Sequence, residues 1–247
     1  MSERLQRFTN PTAFYQAGLD RIKRAAVESV AVRGHFSLVL SGGTTPLPLY
    51  AAMASHGLGV PWETVIFFFG DERLVPTGDR RSNFGMIAPL LFFPTPVPVG
   101  HIHPMPATIQ PASQAAVVYE AEIREACGCG AKETPRFDLV LLGLGEDGHT
   151  ASLFPHSPVL QEKQRLVAAV PPPTTAKPPV ARLTLTIPCL NAAREALFLV
   201  AGRDKERIVN ETMAARPTPA LPASLITPPG GVSWMLLAAG EKPPASS

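Results

Sequence analysis

Along the chain, short and mostly apolar runs alternate with longer segments whose apolar positions recur at helical spacing. The runs "HFSLVL" (35–40), "VIFFF" (65–69), "FDLVLL" (137–142), "RLTLTI" (182–187), "EALFLV" (195–200) and "VSWMLL" (232–237) predict strands. Several are apolar at every position, as strands covered on both faces are. Between them the pattern predicts amphipathic helices over roughly 12–32, 46–56, 83–92, 112–126 and 204–215. Such alternation predicts an α/β fold: an open, mainly parallel, Rossmann-like sheet flanked by helices. The 28 prolines are about twice the usual ~5%. They gather in "PTPVPVGHIHPMP", "PPPTTAKPP" and "RPTPALPASLITPP", which read as rigid connecting loops rather than linkers between domains. A single domain over 1–247 is expected, with a frayed tail at about 241–247.

Composition narrows the function classes. Lys and Arg number 22 against 20 Asp and Glu, with no long run of one sign, so nothing favours a nucleic-acid or membrane-surface partner. Three cysteines, Cys127, Cys129 and Cys189, suit reduced thiols in a chain long enough to build its own core. The opening "MSERLQRF" lacks the apolar core of a signal peptide, and no run reaches the ~18 apolar residues of a membrane span. A cytoplasmic protein is expected.

The stretch "LLGLGEDGHTASLFPH" contains G-x-G-x-x-G at Gly143, Gly145 and Gly148 directly after an apolar run, the spacing of a dinucleotide-binding turn. That reading fails twice. Pro155 follows the third glycine too closely for the long helix such a turn opens. The next apolar stretch, "RLVAAVPPP", ends in prolines and offers no acid for a ribose.

The residues after each strand are more informative. "HFSLVL" runs into Ser41, Gly42, Gly43, Thr44 and Thr45; "VIFFF" into Gly70, Asp71, Glu72 and Arg73; "FDLVLL" into the loop ending at His149; "EALFLV" into Gly202, Arg203, Asp204 and Lys205. In a parallel sheet these four loops share the carboxyl edge, where ligands of open α/β folds bind. "SGGTTP" has the chemistry of an anion cradle, with close backbone N–H groups, hydroxyls and the positive end of the following helix. It reads almost as well as a plain turn with Thr45 capping the helix and Pro46 in its first turn. Lys205 reads either as a second phosphate ligand or as a solvated surface lysine, and Arg182 is similarly divided. Asp71, Glu72 and Arg73 are three charges where a strand end needs none. His149, framed by glycines with Asp147 two positions before it, can exchange a proton near neutral pH. Ser152 lies near it, but no G-x-S-x-G elbow surrounds it, so it reads as bonded to local backbone. His101 with His103, and Cys127 with Cys129, lack a second ligand pair at metal spacing and read as loop residues. His156 has no assigned task beyond the rim of the site.

"FFFGDERLVPTGDRRSNFGM" followed by "DLVLLGLGEDGHTASLFP" resembles the 6-phosphogluconolactonase family, and the likeness takes in "LSGGTTP", "RLTLTIPCLNAAREALFLVAGRDKERIV" and "SLI" before the last strand. The resemblance implies hydrolysis of 6-phospho-D-glucono-1,5-lactone in the pentose phosphate pathway, without metal or cofactor. It implies His149 as general base, Asp71 and Arg73 near the sugar ring, and Gly43, Thr44, Arg182 and Lys205 near the phosphate. Ser41 and Gly42 belong to the same phosphate loop. The partner implied is a small sugar-phosphate lactone, the protein acting as a monomer or weak homodimer. Glucosamine-6-phosphate deaminase, in the same superfamily, typically has tyrosine after the Asp-Glu pair and I-A-F-N-E-P after D-G-H, whereas this chain has Arg73 and T-A-S-L-F-P. A non-catalytic sugar-phosphate sensor is the remaining alternative; it would leave His149 and the Asp71–Arg73 cluster without purpose, and the ~35 residues before the first predicted strand give little room for a DNA-binding domain.

Overall fold

The computed structural model describes residues 5–130, 133–173 and 177–238. The predicted tail at 241–247 lies outside the described residues. Six parallel strands form the main sheet: β1 (Leu5–Phe8), β2 (Phe36–Leu40), β3 (Val65–Phe69), β5 (Leu139–Leu142), β8 (Glu195–Ala201) and β9 (Val232–Leu237), in the order β1-β9-β8-β5-β2-β3. Every residue of β2 and β5 is buried, the environment their unbroken apolar runs require. The helices are α1 (Pro11–Arg33), α2 (Leu47–His56), α3 (Asn83–Leu91), α4 (Ala112–Ala126), α5 (Ile187–Ala192) and α6 (Lys205–Ala214). The α1 boundaries follow from local chemistry. Asn10 Oδ1 accepts from the N–H groups of Thr12 and Ala13, Pro11 opens the first turn, and Gly34 ends the helix in the left-handed region at φ 77°. Among the described residues no helix is long and apolar enough to cross a membrane.

Two expectations need correction. "RLTLTI" is not a strand of the parallel sheet. Residues Arg182–Leu185 (β7) are the centre of a separate antiparallel sheet, β4-β7-β6, with β4 (Asp71–Arg73) and β6 (Val167–Val170), and from Ile187 the chain is already helix α5. Asp71, Glu72 and Arg73 are therefore a strand and not a loop. The chain crosses between the two sheets at Gly70, whose N–H donates to Leu40 O (2.9 Å) while its carbonyl accepts from Leu185 N (2.8 Å). The chain's first strand is also earlier than predicted, since Leu5–Phe8 pairs with β9; β6 hides within "RLVAAVPPP".

At the amino edge of the main sheet, Asp138, just before β5, ties together α1, β2 and the turn before β8. Its Oδ2 accepts from Ser37 N and Ser37 Oγ (both 2.8 Å), and its Oδ1 from Arg33 Nε (3.0 Å) and Arg194 Nε (3.1 Å). The carboxylate side chain is 2% exposed, so its charge is held by these partners and not by water. Replacing Asp138 with Ala would strand Ser37 and leave two guanidinium groups without their shared anion. The two guanidinium groups are 24% and 37% exposed and regain water, so the cost is mainly that of the buried Ser37 donors left unmatched, about 1–3 kcal/mol. The Asp138→Ala variant should therefore lose about that much stability in urea unfolding while keeping its catalytic parameters when folded; a loss under ~0.5 kcal/mol, the range of an ordinary surface substitution, would show that the network is not a support of the sheet.

Candidate active site

The carboxyl ends of β2, β5 and β8, together with β4 and β7, close around one cavity of about 200 Å³. Ser41, Gly42, Gly43, Asp71, Arg73, His149, Arg182 and Lys205 all line it. Five segments far apart in sequence thus meet, three at the carboxyl edge of the parallel sheet and two on the antiparallel sheet beside it. Thr44 does not join them: it is exposed and outside the lining, and Thr45 and Pro46 take its place. Nor does Thr45 cap α2, whose N-cap is Pro46 with no side-chain hydrogen bond. The root of this glycine loop is fixed by buried Tyr50, whose hydroxyl donates to Ser41 O (2.7 Å) and accepts from Ser41 N (2.9 Å). Burial pushes the Tyr50 hydroxyl well above its usual range, so it remains a neutral clamp.

The G-L-G-E-D-G-H segment folds around its own histidine. Gly145 N donates to His149 O (2.8 Å), and Thr150 Oγ1 donates to Gly143 O (2.8 Å). No long helix follows Gly148; the chain instead makes an isolated bridge between Thr150 and Leu153. His149 Nδ1 lies 2.6 Å from Asp147 Oδ1, which also accepts from His149 N at 3.1 Å. Gly145 makes this possible: a Cβ there would sit 2.0 Å from His149 Nδ1. Partial burial alone would raise the Asp147 carboxyl, but the hydrogen bond and charge of His149 outweigh it, and the net shift is downward. An ionised Asp147 selects the tautomer with the proton on Nδ1, leaving the Nε2 lone pair to act as a base. The opposite constraint comes from Phe154, whose ring centroid lies 4.8 Å from that of His149.

Strand β4 distributes its three charges by the pleat. Asp71 and Arg73 line the cavity and Glu72 does not. Asp71 Oδ2 accepts from Ser152 Oγ (2.6 Å) and lies 3.9 Å from Arg182 Nη1; its Oδ1 accepts from Asn83 Nδ2 (3.2 Å). Arg182 is 3% exposed, donates through Nη2 to Pro178 O (3.1 Å) and Lys177 O (3.3 Å), and stacks over Phe154 at 5.3 Å. Burial lowers the Arg182 pKa, opposed by the charge of Asp71. Lys205 Nζ lies 3.9 Å from Glu146 Oε1 on the histidine loop.

Sequence reading missed Ser152, Asn83 and Phe154. Ser152 is fully buried and spends its hydroxyl on Asp71, not on nearby backbone. Asn83 sits in the "RRSNFGM" part of the family-like stretch, the one sequence signal that could have drawn attention to it. His103 pairs with Glu122 (2.9 Å) and stacks on Phe68, away from His149; His156 is outside the cavity lining. Among the described residues no group of three or more His, Cys, Asp or Glu is placed to hold a metal ion.

Comparison with known proteins shows which family shares this fold. The family described as glucosamine-6-phosphate isomerases/6-phosphogluconolactonase matches residues 9–234. A 6-phosphogluconolactonase of Synechocystis sp. is 38% identical over 237 residues, 96% of either chain. Among solved structures, 6-phosphogluconolactonase from Thermotoga maritima superposes with a TM-score of 0.81 at 31% identity, covering 94% of this chain and 98% of that one. The enzyme of that name from Trypanosoma cruzi gives a TM-score of 0.83 at 31% identity over 94% and 93%. With its fold and nearly its whole length matched in this way, the chain belongs to the glucosamine-6-phosphate isomerase/6-phosphogluconolactonase family.

Proposed function

We propose that this protein hydrolyses 6-phospho-D-glucono-1,5-lactone to 6-phospho-D-gluconate, the lactonase step of the oxidative pentose phosphate pathway. The observation that carries the reading is the His149–Asp147 pair at 2.6 Å, set on a cavity whose lining holds Arg73, Arg182 and Lys205 against the single carboxylate of Asp71. That excess of positive charge matches a phosphate monoester, which carries about −1.5 to −2 at neutral pH. Arg73 in place of tyrosine, and T-A-S-L-F-P after the histidine, favour the lactonase over the deaminase branch. The enzyme works in the cytoplasm without metal or cofactor, as a monomer or weak homodimer.

In the proposed reaction Nε2 of His149 takes a proton from water as the water oxygen bonds to the lactone carbonyl carbon. Asp147, accepting from Nδ1–H, stabilises the imidazolium that results. Negative charge gathers on the former carbonyl oxygen, where the Arg73 guanidinium, whose buried Nε has no partner among the described residues, supplies the opposing charge. Collapse of the tetrahedral intermediate breaks the bond to the ring oxygen, which receives the proton from His149. The base is thereby regenerated, and the new carboxylic acid ionises in water. Asp71 has both oxygens committed to Asn83, Ser152 and Arg182, so it serves as a fixed anion and not as a second base.

Asparagine at position 149 retains much of the size but cannot cycle a proton, and general-base catalysis is worth ~10²- to 10⁴-fold. His149→Asn should fold normally and lose turnover by about that factor at saturating substrate, read as acid release corrected for spontaneous hydrolysis. Near-normal turnover would remove His149 from the mechanism. Prolonged chelation should leave the parent enzyme's turnover unchanged; activity lost to chelator and restored by zinc would contradict metal-free water activation.

The phosphate anchor separates from the chemistry through Lys205. A charge-assisted contact is worth roughly 1.5–3 kcal/mol, or about 10- to 150-fold. Lys205→Ala should raise KM for the phosphorylated lactone by that order, leave kcat nearly intact, and change little on unphosphorylated glucono-1,5-lactone. Arg182→Ala should lower kcat as well, because Arg182 also faces Asp71. Equal fractional losses of Lys205→Ala on both lactones would place the phosphate elsewhere.

A further inference from the structure

Glu72 is 1% exposed, lies beside Asp71, and is not itself among the residues that line the cavity. Burial raises its pKa, opposed by the hydrogen bonds it accepts, so the native fold holds it there at some expense. Four donors surround its carboxylate: Arg73 N (2.7 Å) and Asn83 N (2.7 Å) on Oε1, Phe84 N (2.8 Å) and Ser82 Oγ (3.1 Å) on Oε2. The helix it meets, α3, already has an N-cap, since Ser82 Oγ accepts from Gly85 N at 3.0 Å. A nine-residue helix does not require a buried carboxylate in addition. What the carboxylate adds is a rigid placement of residue 83 relative to residue 73.

Asn83 turns that placement toward the site. Its Nδ2 donates to Asp71 O (2.8 Å) and to Asp71 Oδ1 (3.2 Å). On its other side it abuts the glycine loop, where a Cβ on Gly42 would fall 2.1 Å from Asn83 Oδ1. One amide thus touches both the Asp71 carboxylate and the backbone of the anion-cradle loop, from a position in which it is 1% exposed.

We propose that Glu72 and Asn83 form a positioning unit, in which Glu72 fixes the first turn of α3 and the Arg73 backbone, and Asn83 braces Asp71 against Gly42. The unit holds the ring-binding groups at a set distance from the phosphate loop. This inference rests on the lactonase reading of the same cavity, in which a fixed spacing between phosphate and carbonyl subsites governs how the lactone meets His149. Misplacement of reacting groups by about 1 Å is worth on the order of 100-fold in rate.

The test uses Asn83→Ala, Glu72→Gln and the double variant. Asn83→Ala keeps all four donors to Glu72. Glu72→Gln sets an amide N–H₂ against backbone N–H groups that need an acceptor. Asn83→Ala should lower kcat on the phosphorylated lactone by about 10- to 100-fold, more than it raises KM, with a urea midpoint close to the parent's. Glu72→Gln should lose at least as much, and the double variant no more than Glu72→Gln alone, because both act through one contact. Turnover of Asn83→Ala within two-fold of the parent, or losses that multiply in the double variant, would overturn the proposal. Should Glu72→Gln fail to fold, Asn83→Ala decides alone. Crystal structures of the parent and Asn83→Ala proteins give a readout independent of any substrate: the Asp71 carboxylate should move relative to Gly42, and an unmoved carboxylate would refute the positioning unit even if the parent proved inactive on the lactone.

Discussion

Burying two consecutive carboxylates beside a half-buried arginine is the constraint on which the site depends. A carboxylate or guanidinium removed from water costs several kcal/mol unless it is paired and hydrogen-bonded. Strand β4 carries Asp71, Glu72 and Arg73, with Asp71 7% and Glu72 1% exposed. The pleat turns them apart: Asp71 is met by Ser152, Asn83 and Arg182, Glu72 by the start of α3, and Arg73 by Arg81 O at 2.7 Å, with Asn83 serving both carboxylates. None of these partners belongs to the main sheet. The second sheet, the first turn of α3 and the segment after His149 are all drawn to the same place by the need to accommodate these charges.

Gly70 makes that arrangement possible by serving both sheets at once. Up to that residue the chain follows the parallel ladder alongside β2; beyond it the chain is antiparallel to β7. The antiparallel register places Arg73 opposite Arg182 and Asp71 opposite Thr184. Two arginines side by side on neighbouring strands repel, and Asp71, 3.9 Å from Arg182, partly offsets this. Both residues line the cavity, so the same pairing, unfavourable by itself, leaves two cations facing the space where the proposed substrate would bind.

The carboxyl-edge loops were legible in the sequence because each follows an apolar run long enough to identify as a buried strand, and because glycine, charge and histidine at such strand ends have few structural uses. Eight of the nine expected site residues line one cavity, Thr44 being the exception. The second sheet was not legible. Strand β4 is wholly charged and β6 runs into prolines, so neither shows the alternation or apolar run that marks a strand, and "RLTLTI" could not reveal that its neighbours are antiparallel. Ser152 and Asn83 escaped for a related reason: their partner Asp71 is 81 and 12 residues away in sequence, and no local pattern encodes a contact set by the crossing of two sheets.

The two ends of the main sheet divide the work of folding and function. At the amino edge every oxygen of Asp138 is matched to a donor, and the network there is closed. At the carboxyl edge satisfaction is incomplete: Arg73 Nε, Arg182 Nε and Asn83 Oδ1 are buried and without partners among the described residues. Two of the three unmatched groups are guanidinium donors, which an anionic oxygen can satisfy and a neutral hydroxyl satisfies less well. In the proposed reaction the open Arg73 donor faces an oxygen that gains negative charge only during attack, so the contact would strengthen there and favour the transition state over the bound substrate.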